Sequence, residues 1–452
     1  MAKKSTLNAK NLEALGAERL AELLLEVTEG NAAAKRRLRI ELAGADGPAA
    51  VAREVGRRLA TIARSRSFVD WSKVRTLAHD LETQLTAIVE QVAPSDPEAA
   101  LDLMWRFMAV AEPVHDRTDD SDGMVGDVFR SACAELGRIA AAAQADPRIL
   151  ADRAFEALRE NDYAQFDGLI RALTVPLGPA GMGYLRDRMV ELSRTEGGNR
   201  IIRVSRLALM EIADALGDVD SFMAQYDEES RKSPPVAIGI AERLLAAGRG
   251  EEAVRALDAA EHGHGGWRGE WEDVRIRALD ALGRAEEAQA ARWSSFERSL
   301  SVEHLRVYLA RDPGFDTVEV EERAFAHVMA FPRVDRALAF LLSWPSLERG
   351  AALVMARSGE LNGDYYELLT PAAEALALDH PLAATLTLRP MIDFTLREAR
   401  STRYKHAARH LEECAALARA IHDFGAVETH DAYMARLRNE HGKKRSFWGM
   451  VE

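Results

Sequence analysis

The stretch Gly248-Arg249-Gly250-Glu251-Glu252-Ala253 returns 35 residues later as Gly283-Arg284-Ala285-Glu286-Glu287-Ala288. Each copy follows an apolar run at helical spacing, Ala241, Leu244 and Leu245 before the first and Ile276, Leu279 and Leu282 before the second. A unit of this length holds one helix, a turn and a second helix. Glycine at the turn accepts the backbone angles that end the first helix, and the small alanine lets the second helix approach closely. A hairpin of this size cannot bury its own apolar face, so it has to stack on neighbours. That requirement restricts the fold to stacked helical hairpins.

The rest of the chain agrees. Leu20, Leu23, Leu24 and Val27, then Leu101, Met104, Trp105 and Met108, then Leu207, Met210 and Ile212 repeat the helical period, and strand alternation is nearly absent. Asp96-Pro97, Asp146-Pro147, Ser233-Pro234 and His380-Pro381 place proline where a first helical turn tolerates it, which predicts helix starts. About 23 helices of ordinary length are expected. With 452 residues, 47% hydrophobic and only 6% aromatic, the chain can bury a sizeable core on small side chains. Pro390, inside an otherwise helical run from Leu382 to Arg397, predicts a kink near Arg389. The expected organisation is an N-terminal helical subdomain with a basic face (1–115), an acidic loop (116–123), a helical linker region (124–232), the repeat pair (233–300), further helical repeats (301–437) and a basic-aromatic tail (438–452).

The period and the glycine turn resemble tetratricopeptide repeats, whose unit is 34 residues. Tyr404, Ala407, Leu411 and Cys414 resemble a degenerate third copy, in which Cys414 is a packing residue. Arg292 departs from the pattern by standing at a bulky apolar position, which predicts an irregular α-solenoid. Four further stretches carry a second resemblance: Leu15-Gly16-Ala17-Glu18-Arg19-Leu20-Ala21, Arg64-Ser65-Arg66-Ser67-Phe68-Val69-Asp70-Trp71, Met104-Trp105-Arg106-Phe107-Met108 and His380-Pro381-Leu382-Ala383-Ala384-Thr385. Together they resemble an uncharacterised all-helical bacterial family of unknown function. They are also similar to the helical portion of bacterial SWIM zinc-finger proteins. The Cys/His zinc module of those proteins is missing here, so the resemblance implies architecture and an interaction role but no catalytic residue.

Net charge is −13, which disfavours generic binding along a nucleic-acid backbone. The sign is uneven: residues 1–75 carry 15 basic and 9 acidic side chains, against 44 and 63 in the remainder. Two cysteines, Cys133 and Cys414, are too few for a disulfide framework, and a reducing cytoplasm is expected. Lys3 and Lys4 are not followed by the apolar core of a signal peptide, and no run has the length of a membrane span.

Several constellations invite chemistry. His406, His410 and Cys414 fall at i, i+4 and i+8, the best metal candidate, but Ala407 stands where a zincin would place its glutamate. Asp120 and Asp122 fit calcium-loop positions around Gly123, yet Thr118 and Phe129 occupy the first and twelfth places, so the expected role is a solvated loop capping the next helix through Asp122. His262 and His264 have no third ligand nearby. Lys35, Arg36, Arg37 and Arg39, with Arg53, Arg57, Arg58, Arg64 and Arg66, form the one concentration of positive charge suited to an acidic partner. Arg37 with Glu41 and Arg58 with Glu54 are expected as helix-face pairs, with Leu38 and Leu42 in the buried stripe between them. Phe447 and Trp448, behind Lys443, Lys444 and Arg445, should dock on the chain itself or on a partner. No phosphate loop, dinucleotide fingerprint, nucleophile elbow or HExxH is present.

The expected function is therefore a non-catalytic scaffold: a right-handed, tetratricopeptide-like solenoid whose concave surface binds a protein or peptide, with Arg243, Arg275 and Arg277 as groove cations and no cofactor. Nucleic-acid association through Lys35, Arg36, Arg37, Arg39, Arg57 and Arg58 is the first alternative, and a metal-dependent enzyme using His406 and His410 the second.

Overall fold

The computed structural model describes residues 7–195, 198–260, 266–311, 317–344 and 346–451. Among them are 27 α-helices, and the extended segments form one isolated parallel bridge, Val69 to Thr118. The count exceeds the expected 23 or so because several helices, such as Ala111–His115 and Leu169–Ala172, are single turns too short to show a period. The chain divides into two compact units, Met1–Val236 and Ala237–Glu452. No helix among the described residues is long and apolar enough to cross a membrane.

In the first unit the main helices are α1 (Ala32–Ala45), α2 (Pro48–Arg64), α3 (Trp71–Thr86), α4 (Pro97–Met108), α5 (Met124–Ala142), α6 (Pro147–Arg159), α7 (Thr174–Thr195) and α8 (Asn199–Leu216). They pack largely as consecutive pairs, α1 on α2, α4 on α5, α6 on α7 and α7 on α8, around a core that runs from Ile40 to Ile212. Side-chain caps set the starts: Asn31 receives the Ala34 N–H at 3.1 Å and Asp96 the Ala99 N–H at 3.0 Å. α7 contains a break that periodicity did not predict. Gly178 leaves the helical region (φ 57°, ψ −177°) immediately before Pro179.

The second unit begins within a helix, α9 (Pro234–Ala246), and continues through α10 (Gly250–Asp258), α11 (Arg268–Ala281) and α12 (Ala285–Ser299). Its later part includes α13 (Tyr366–Leu376), α14 (Pro381–Arg397) and α15 (Tyr404–Ala418), within a core that runs from Phe296 to Trp448. Helices start at Pro97, Pro147, Pro234 and Pro381, as the sequence predicts.

The two sequence copies fold alike. Gly248 (φ 74°) and Gly283 (φ 71°) end α9 and α11 in the left-handed region. The following amides close the same six-residue turn, Arg249 N–H to Leu244 at 2.8 Å and Arg284 N–H to Leu279 at 3.0 Å, the Schellman pattern. Arg249 then grips Glu252 through two hydrogen bonds of 2.7 Å, and Arg284 grips Glu287 through two of 2.6 Å. Ala253 and Ala288 are fully buried. The same closure recurs at Gly217, Gln144 and Ala399, where sequence identity is too slight to reveal it.

Two expectations need correction. α14 runs unbroken through Pro390 instead of breaking at Arg389. It is buried on nearly all sides against α13, α15 and Leu347–Arg357, and this packing outweighs the ~3 kcal/mol that an internal proline costs. Leu42 is 70% exposed, so α1 buries Ile40 and not a Leu38–Leu42 stripe.

Candidate functional site

The basic residues near the N-terminus are organised by an acid that the sequence reading overlooked. Asp80, on α3, is 3% exposed. A carboxylate so deep requires cations, and it takes two: Arg36 from α1 donates from Nε at 3.1 Å, and Arg58 from α2 donates from Nε at 3.0 Å and again through Nη2. The two arginines are thus held by one anchor, with both Nη groups of Arg36 and Nη1 of Arg58 making no hydrogen bond among the described residues.

A cavity of about 440 Å³ opens beside this anchor, lined by Lys35, Arg36, Arg39, Arg57 and Arg58 together with Glu54. Lys35 and Arg39 are exposed and carry no ion pair among the described residues. Gln84, also lining, donates to Asp80 at 3.4 Å and leaves its buried Oε1 without a partner. Five cations against the carboxylates of Glu54 and Asp80 leave a local charge of +3. Arg37 does not line the cavity. The expected pairs are also rearranged: Glu54 takes Arg57 at 2.9 Å because Arg58 belongs to Asp80, and Arg37 makes no pair with Glu41.

Arg117 was missed as well. It lies in the acidic loop, donates to the Ser67 carbonyl at 3.2 Å, and has its pKa lowered by burial and by nearby Arg58. That loop is pinned to Val69 by two backbone hydrogen bonds, from Val69 to the Arg117 carbonyl (2.8 Å) and from Asp119 to the Val69 carbonyl (3.0 Å). Asp120, not Asp122, caps α5, receiving the Val125 and Gly126 amides at 3.0 and 2.9 Å. The left-handed Gly123 turns the chain so that the earlier carboxylate reaches the helix end.

The other sequence candidates lie elsewhere. Arg275 pairs with Asp258 and Arg277 with Glu242, both at 2.9 Å, while Arg243 donates to the Gly239 carbonyl at 2.8 Å. All three are thus engaged within the chain. Arg292 is 2% exposed and its charge is met by Asp280, while Gln289 accepts from it at 2.9 Å, which is how an arginine occupies an apolar repeat position. His406 is exposed on α15, whereas His410 and Cys414 are buried, and burial raises the Cys414 thiol to about 12. Among the described residues no three His, Cys, Asp or Glu side chains are grouped to hold a metal ion. His262 and His264 lie outside the described residues. Phe447 is fully buried and Trp448 7% exposed; Phe447 sits edge-on to Tyr404 at 5.8 Å and Trp448 donates to the His441 carbonyl at 3.0 Å.

A single family model matches residues 2–203 and 193–450. The chain belongs to that family, DUF6880, a family of unknown function. Membership in DUF6880 therefore extends over nearly the whole sequence, across both compact units. No curated protein matches this DUF6880 chain. Among solved structures, one similar chain is described as a "Circular tandem repeat protein with novel repeat topology and enhanced subunit contact surfaces"; it is 16% identical, 96% of each chain is covered, and the TM-score is 0.17.

Proposed function

We propose that this DUF6880 protein is a non-catalytic interaction protein that captures an acidic segment of a partner protein at the cavity around Asp80. The supporting observation is the anchored geometry: a buried carboxylate holds two guanidiniums in place while Lys35 and Arg39 stand uncommitted at the rim. Donors fixed before binding lose little freedom when a carboxylate arrives, so they favour recognition of individual acidic side chains. The engaged state of Arg243, Arg275 and Arg277 moves the expected contact away from the 234–300 region. Within the second unit, the equivalent turns at Gly248 and Gly283 support an irregular, tetratricopeptide-like stacking of hairpins. Two unpaired buried thiols suit a reducing, cytoplasmic setting.

Nucleic-acid binding is the competing reading of the same charge. A closed patch containing two carboxylates fits it less well than a continuous basic track, and Arg37, Arg53, Arg64 and Arg66 do not line the cavity. Fluorescence anisotropy with a short Glu-rich peptide and with a single-stranded oligonucleotide, each titrated across salt, separates the two. The peptide should bind, and the double change Lys35→Ala and Arg39→Ala should weaken it about tenfold without unfolding the protein. Oligonucleotide binding in place of peptide binding moves the assignment to nucleic acid, and no binding of either removes both.

A further inference from the structure

Three helices of the second unit, α13, α14 and α15, enclose a separate cavity of about 440 Å³. Tyr366, Pro371, Met391 and Ala407 give it an apolar floor, and Arg403, Arg409 and His410 bring cationic or protonatable groups to the same space. The loop that closes one side is held tightly. A Cβ on Gly363 would lie 1.9 Å from the Pro390 carbonyl oxygen, so only glycine lets this loop rest on α14.

The polar groups are positioned before any ligand arrives. His410 is 4% exposed and its Nδ1 lies 3.1 Å from the Glu413 carboxylate, which can only accept, so Nδ1 carries the hydrogen. Nε2 makes no hydrogen bond among the described residues, and the ring lines the cavity. The Thr395 hydroxyl, on a residue 5% exposed that also lines the cavity, likewise makes no hydrogen bond among the described residues. Arg403 is fixed by Asp364 at 2.6 Å from Nη1 and by the Tyr366 ring, 4.8 Å from its guanidinium carbon, leaving Nε and Nη2 for a ligand.

We propose that this cavity binds a small organic oxyanion, a carboxylate or phosphate head on a compact apolar body. The head lies among Arg403, Arg409 and Thr395, and the body rests on Met391, Pro371 and Ala407. A cationic ligand would face two arginines, and a polyanion would meet Glu367, which also lines the space. The volume suits a molecule with one ring. The charged and titratable groups at the cavity are His406, Arg409 and Glu413 on α15, where Arg409 Nε pairs with Glu413 at 3.3 Å, Arg403 just before that helix and Glu367 on α13; α14 contributes only Met391 and Thr395 to the lining.

The test is calorimetric titration of the full chain at neutral pH with benzoate, phenyl phosphate and the neutral benzyl alcohol. Saturable binding of either anion is expected, and the anion that binds identifies the head group. Arg403→Gln should weaken anion binding at least about tenfold. Arg409→Gln, at a side chain 54% exposed, changes no core packing and should weaken the anion alone, which keeps the test decisive should Arg403→Gln fail to fold. Benzyl alcohol binding as tightly as benzoate, saturation by neither anion, or affinity untouched by Arg409→Gln each overturns the assignment. The site is independent of the basic cavity, so loss of peptide binding there leaves this result standing.

Discussion

Single residues carry much of the fold's definition where the backbone enters the left-handed region. Ala399 does so at φ 51°, ending α14 with the closure that glycine makes at Gly248 and Gly283. Its Cβ costs roughly 1 kcal/mol in that region, while its exposed methyl buries nothing in return. Ala399→Gly should therefore raise stability by about 1 kcal/mol in denaturant unfolding, and Gly283→Ala should lower it by a similar amount. A destabilised Ala399→Gly protein would show that the turn is not limiting. The same scale explains Asp80. An acid between His79 and Leu81 in α3 has no distinctive sequence context, yet its burial forces the choice of partners for Arg36 and Arg58 and leaves Glu54 to Arg57.

Between elements, the determining quantity is how closely backbones approach. α5 meets the short helix Leu169–Ala172 at Gly137, where an added Cβ would stand 1.9 Å from the Ala172 carbonyl oxygen. That atom belongs to the backbone and cannot rotate aside, so the helices must separate. Gly137→Ala should destabilise the first unit by about 1–3 kcal/mol, read as a lower denaturation midpoint with unchanged helix content. A midpoint equal to that of the unaltered protein would show that this close approach does not limit the packing of the two helices. Pro390 teaches the complementary lesson. Local chemistry argues for a kink, but α14 is buried against three neighbours, and their combined packing holds it in one piece.

For the whole molecule, the two cores share no residue, one running from Ile40 to Ile212 and the other from Phe296 to Trp448. Calorimetry should resolve two unfolding transitions. Leu136→Ala, at a fully buried site of the first core, should lower one of them by about 2–5 kcal/mol of stability, and Leu341→Ala, equally buried in the second, should lower the other. One transition shifted by both changes would show a single cooperative body. The all-helical class, the proline-marked helix starts and the paired turns at Gly248 and Gly283 were legible in the chain, because each depends on residues within one or two turns of one another. The basic stretch was legible as charge, but its arrangement was not: Asp80 lies 44 positions from Arg36 and 22 from Arg58. The cavity beside His410 was equally hidden, since Gly363, Thr395 and Arg403 meet only once α13, α14 and α15 have packed. Local order follows from neighbouring side chains and backbone preference, whereas which ionisable groups share a pocket depends on burial, and burial exists only after the helices have come together.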